Sequence, residues 1–145
     1  KLYAIQTTAS TTEGAQYVYC KKLVKNETGE RPLYTGYHST VSAFYYGTLI
    51  VGDQFDGNFD GYSALDTNIP LSSLKEPTAF DSPTTFAVAS VIPGWTAALQ
   101  LMRAGERWML YIPWQSAYGS SGNNDGTIPG YTALTFDLLL ERIVE

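Results

Sequence analysis

The chain has one cysteine, Cys20, and one histidine, His38, among 145 residues. A lone cysteine excludes an internal disulfide, a CxxC redox pair and a cysteine-built zinc site. A lone histidine leaves any Ser-His-Asp triad or histidine metal cluster dependent on that one residue, whose setting, Gly36-Tyr37-His38-Ser39-Thr40, reads more simply as a polar loop or strand start. Cations are scarce as well. Nine Lys plus Arg against fourteen Asp plus Glu give a net charge of −5, which argues against the clustered basic footprint of a nucleic-acid binder. No apolar run approaches about 18 residues and no charged n-region precedes an apolar h-region, so no stretch reads as a membrane span or a targeting segment. The first residue is Lys1 rather than Met, which suits a mature form or a trimmed piece and is compatible with removal of an upstream signal or lipid anchor.

Aromatic residues, by contrast, are plentiful, with eleven tyrosines, six phenylalanines and three tryptophans. That composition fits half-buried sheets, so most of the tyrosines are expected to be structural. The organising stretch is Val91 to Gly119, VIPGWTAALQLMRAGERWMLYIPWQSAYG. Pro93 and Gly94 start a helix and Gly105 follows its end. Trp95, Ala98, Leu99 and Met102 recur at i, i+3, i+4 and i+7, on one face that must be buried. The period then changes to two, with Trp108, Leu110 and Ile112 alternating with Arg107, Met109 and Tyr111, so a strand follows the helix.

The length predicts a single domain over residues 17–145, behind a polar lead-in over 1–16. Residues 6–16, QTTASTTEGAQ, have no period and read as extended or poorly ordered. Tyr17 to Val24 is β-like, with Cys20 a small strand residue. A long strand is predicted from about Ser39 to Ile50, Ala43 and Tyr45 sharing one face and Phe44 and Tyr46 the other, followed by a turn into a short strand at Asp53 to Asp56. Asp56 to Gly61 satisfies the first six positions of an EF-hand loop, but Thr67 stands where the bidentate Glu belongs and no amphipathic helix precedes it, so no metal site is assigned. Residues 59–81 form a long irregular segment in which Ile69 to Leu74 could make one helical turn, and such loops are usually functional or flexible. The Gly- and Asn-rich run Tyr118 to Gly126 gives little reason for rigidity, and the last strand turns Leu134, Phe136, Leu138 and Leu140 one way, with Glu141 to Glu145 closing the sheet.

The ordered set VIPGW, AGERW, LYIP and AYG, with Tyr45-Tyr46-Gly47-Thr48-Leu49, Gly52-Asp53-Gln54-Phe55-Asp56, Gly126-Thr127-Ile128-Pro129-Gly130 and Leu134-Thr135-Phe136-Asp137, resembles the FKBP-type peptidyl-prolyl cis/trans isomerases over most of residues 41–145. The resemblance implies an α+β fold, a curved antiparallel β-sheet wrapped around one short α-helix. It makes 59–81 an insertion, expected to flank the pocket entrance. It also marks two departures: Thr84 replaces an aromatic, and the family's Asp loses a clear Arg partner.

By the same resemblance Trp95 is a pocket floor and Tyr45, Phe55, Val91, Ile92, Ile128 and Phe136 are its walls, while Asp56 and Tyr118 act on the twisting amide. Without that context, Tyr118 reads as a hairpin tyrosine packed on the sheet and Asp56 as the cap of its own turn. The implied activity is non-covalent isomerisation of Xaa-Pro bonds in unfolded or client proteins, without cofactor or metal. Macrolides of the tacrolimus or rapamycin type are the implied ligands. A client-binding, chaperone-like module with little turnover is the alternative, and a bacterial cell envelope or periplasm is favoured over the cytoplasm.

Overall fold

The computed structural model describes residues 1–11, 14–32 and 39–144, and the reading of His38 lies outside them. Among the described residues there are seven strands and one α-helix: β1 (Tyr3–Thr11), β2 (Gly14–Val24), β3 (Thr40–Leu49), β4 (Gln54–Gly57), β5 (Thr84–Ala87), α1 (Pro93–Leu101), β6 (Arg107–Ile112) and β7 (Leu134–Ile143). The strands form one antiparallel sheet in the order β1-β2-β6-β7-β3-β4, with β5 also paired to β3. This is the expected α+β arrangement of a sheet packed on one short helix.

Alternation decides which side of the sheet is which. Val18, Cys20, Ala43, Leu110, Phe136 and Leu138 turn to the helix side, where Trp95, Ala98, Leu99 and Met102 complete the main core. Pro93 pre-sets the first turn of α1, and Trp95 and Thr96 both donate backbone hydrogen bonds to Ile92 O. The helix stops as Met102 N bonds Ala98 O and the chain turns through Gly105 at φ 91°. Glu106, buried at 6% exposure, accepts the backbone N–H groups of Arg103 and Asn26 and so holds that turn.

Two sequence expectations change here. Residues 3–11 and 14–16, expected to be extended or poorly ordered over 6–16, are extended and built into the sheet: β1 pairs with β2 from Tyr3↔Cys20 to Thr11↔Gly14, and Tyr3 and Ile5 pack on the core. Thr7 is buried and bonds Ser116 Oγ at 2.8 Å. A polar composition hides this strand because its inward face passes from Tyr3 and Ile5 to Thr7, a polar residue that hydrophobic periodicity does not report. The second change concerns 59–81, which packs on the back of the sheet and lines no part of the aromatic cleft around Trp95. Tyr62, Ile69 and Leu74 pack there on Leu23, Met109 and Tyr111.

Beneath that segment Arg107 and Asp137, at 1% and 0% exposure, make a bidentate pair at 2.8 and 2.7 Å. Tyr62 N also donates to Asp137 Oδ2, and the guanidinium lies over the Phe59 and Tyr62 rings. Ile69 to Leu74 makes a turn closed by Ser73 N to Pro70 O instead of a helical turn. Apolar Ile69 is buried against Leu23 and Met109 on the sheet.

Candidate functional site

At the start of α1 the aromatic side chains enclose a cleft of about 340 Å³. Trp95 is its floor, 3% exposed, placed by the first turn of the helix. Tyr45 from β3 and Phe86 from β5 meet the indole edge-on, at centroid distances of 5.4 and 4.9 Å. Phe136 from β7 closes the other side at 5.2 Å and carries Phe55 of β4 against it at 5.4 Å. Gly47 makes that last contact feasible, because a Cβ there would stand 2.7 and 2.8 Å from the Phe136 and Phe55 rings. Val91 and Ile92 line the rim.

Asp56 and Tyr118 are the polar members of the cleft, with Ser90. Asp56 Oδ1 accepts Gly57 N at 2.8 Å, so this residue both faces the cleft and caps its own turn. Burial, and then the nearby Asp56 carboxylate, push the Tyr45 phenol far above its ordinary range. Tyr118 is shifted the same way, by burial first, then by Asp56 and Asp125. Both phenols therefore remain protonated donors at any physiological pH.

Of the nine residues singled out from sequence, eight line this cleft. Ile128 does not: it is 2% exposed and belongs to the core beneath the loop. Phe86 and Ser90 line it and had not been singled out. The step Pro83-Thr84-Thr85-Phe86 carried the signal for Phe86, which alternates onto the same side as Val88. No residue of 59–81 reaches the cleft. The loop after Tyr118 is also better tied than its composition suggests. Asn123 Oδ1 accepts Ile128 N, Asn123 N donates to Ile128 O, and Tyr131 N donates to Gly119 O.

The residues of the EF-hand-like run are engaged elsewhere. Asn58 bonds β3 and β5 through its amide, and exposed Asp60 lies 3.9 Å from Lys75 Nζ. A second hollow, about 370 Å³ around Trp114 and Tyr131, has no carboxylate in its lining among the described residues. The Trp95 cleft joins a cluster of packed aromatic rings to a carboxylate and a phenol.

The family whose model matches residues 35–141 is described as FKBP-type peptidyl-prolyl cis-trans isomerase. The chain is 34% identical over 134 residues to the FKBP-type peptidyl-prolyl cis-trans isomerase FkpA of Aeromonas hydrophila, covering 92% of this chain and 40% of that one. It is 40% identical over 106 residues to the Outer membrane protein MIP of Legionella longbeachae, covering 73% and 34%. A crystal structure of a peptidyl-prolyl cis-trans isomerase from Pseudomonas syringae superposes with a TM-score of 0.64 at 28% identity, over 96% of this chain and 81% of that one. The chain spans between a third and about half the length of the curated relatives it matches.

Proposed function

This chain belongs to the FKBP-type peptidyl-prolyl cis-trans isomerase family, and we propose that it accelerates rotation about Xaa-Pro bonds in the Trp95 cleft. The uncatalysed barrier is about 18–20 kcal/mol because the amide has partial double-bond character. Lowering it needs no proton transfer and no covalent intermediate. It needs a site that binds the twisted amide better than the planar one. The single observation that carries this reading is the ring set around Trp95, an aromatic cleft with room for a proline ring beside the side chains of Asp56 and Tyr118.

In this mechanism the proline ring lies on the Trp95 indole between Tyr45 and Phe136. Exclusion of water removes the solvation that favours the planar, charge-separated amide. The Tyr118 hydroxyl donates to a carbonyl of the bound segment and keeps it oriented as the bond turns. Asp56 faces the carbonyl that rotates and discourages the planar position electrostatically. Substrates are proline-containing segments of unfolded or client proteins, with an apolar residue before proline preferred by the rim at Val91 and Ile92. A macrolide of the tacrolimus or rapamycin type competes for the same floor. The relative named as an outer membrane protein supports a place in a bacterial cell envelope.

A protease-coupled assay on a Leu-Pro peptide tests this reading, with the parent chain beside Tyr118→Phe and Trp95→Ala. Acceleration by the parent, weakened in Tyr118→Phe and abolished in Trp95→Ala, is the expected result. No acceleration by a folded parent chain would sink it.

A further inference from the structure

The three strands that wall the cleft meet at a defect in the sheet. Along its free edge β3 pairs with β5 from Thr40↔Ala87 to Ala43↔Thr84 and with β4 from Tyr46↔Gly57 to Thr48↔Gln54. Phe44 and Tyr45 fall between the two ladders, without a partner strand on that edge among the described residues. Unpaired strand groups cost free energy unless something else bonds them.

Asn58 fills the gap. Its backbone N–H donates to Tyr45 O at 2.9 Å, and its side-chain Oδ1 accepts Tyr45 N at 2.8 Å. Nδ2 donates to Ala43 O and to Thr84 Oγ1, both at 3.0 Å. Tyr45 N can only donate and Ala43 O can only accept, so the amide has one orientation that satisfies both. One side chain therefore replaces a peptide group of the missing strand residue and ties β3, β4 and β5 together.

We propose that Asn58 is a positioning residue for the cleft, its amide standing in for strand backbone beside Tyr45 so that the aromatic walls carried by β3, β4 and β5 keep one fixed spacing. Tyr45 is the residue it holds most directly, and Tyr45 touches Trp95, Phe86 and Phe136. Asp56 lies two residues before Asn58, and Phe86 two residues after Thr84. Thr84 also gains a purpose: the residue that departs from the family's aromatic supplies the hydroxyl that takes the last Asn58 proton. An aromatic side chain there offers Asn58 no such acceptor. The claim rests on the isomerase reading for its kinetic consequence, but its structural half stands without it.

The test compares the parent chain with Asn58→Leu, Asn58→Asp and Thr84→Val. Asn58→Leu removes every side-chain hydrogen bond, Asn58→Asp keeps the acceptor for Tyr45 N and can accept from the Thr84 hydroxyl but loses the bond to Ala43 O, and Thr84→Val removes one partner from an exposed strand position. NMR reads the Tyr45 amide exchange rate and ring shifts, titration reads the Kd of a Leu-Pro peptide, and kinetics read kcat and KM. Expected are faster Tyr45 exchange, moved ring shifts and a kcat/KM lowered on the order of ten-fold in Asn58→Leu, with smaller changes in Asn58→Asp and Thr84→Val. Lowering the temperature until all variants are equally folded leaves that loss in place, whereas a purely stabilising role would see it vanish. Parent-like Tyr45 shifts, peptide Kd and kcat/KM in folded Asn58→Asp and Thr84→Val, with the Asn58→Leu loss cured by cooling or Asn58→Leu unfolded, would overturn the proposal. If the parent itself shows no turnover, the isomerase reading fails alone, and the Tyr45 shifts and peptide Kd still decide the Asn58 claim.

Discussion

Trp95 serves as core and as floor at once, which is why the same side chain anchors the helix and would meet the substrate. Truncating it to Ala costs stability as well as function, roughly 3–5 kcal/mol for a buried aromatic. Trp95→Phe is the cleaner probe: it keeps an aromatic floor, and we expect the chain to stay folded by near-UV circular dichroism while its kcat/KM falls on the order of ten-fold. Residue chemistry was largely legible in the sequence wherever a motif places a side chain on an alternating strand or a helix face. Tyr45, Phe136 and Trp95 are such cases. Ile128 was not, because a loop residue's direction depends on bonds such as that from its N–H to Asn123, which no periodicity reports. Asn58 was hidden for a related reason: its partners Ala43, Tyr45 and Thr84 are set by how three strands share one edge.

Elements set apart in sequence carry the site, and the two sides of the sheet have separate tasks. The helix side holds the cleft, while 59–81 seals the back over Arg107 and Asp137. Removing one member of that pair strands a buried charge, so Asp137→Ala is expected to lose about 3–5 kcal/mol in urea unfolding. Exchanging both for apolar residues of like volume should cost far less. A second coupling links β1 to the loop that ends in Tyr118, through Thr7 Oγ1 and Ser116 Oγ, both buried. Thr7→Val leaves Ser116 unsatisfied and is expected to cost about 1–3 kcal/mol, checked by the same unfolding curves, with Thr7→Ser restoring most of it. The polar run around Thr7 gave no period to read. Thr7 continues the alternation that turns Tyr3 and Ile5 to the core, and its partner Ser116 lies 109 residues away in sequence.

At the scale of the whole molecule, folding raises the pKa of several phenols together: Tyr45, Tyr111 and Tyr118, each chiefly by burial. Such a group keeps its proton in the native state while the unfolded chain begins to ionise near pH ~10, so the stability it contributes is complete below that pH and is lost as the pH rises further. Thermal unfolding followed from pH 8 to 11 should show a steepening loss above about 10, and Tyr45→Phe should make it shallower. The net charge of −5 does not change this direction, since added negative charge at high pH only increases repulsion in the compact state. The cleft is a property of the assembled sheet and helix, because it draws walls from β3, β4, β5, α1 and β7. The direct measurement is NMR exchange spectroscopy on a Leu-Pro peptide with catalytic amounts of the chain. Exchange peaks between the cis and trans forms, absent without protein and suppressed by Tyr118→Phe, are the predicted result. Peptide resonances that shift on binding yet show no cis/trans exchange would contradict the account and leave a binding cleft without turnover.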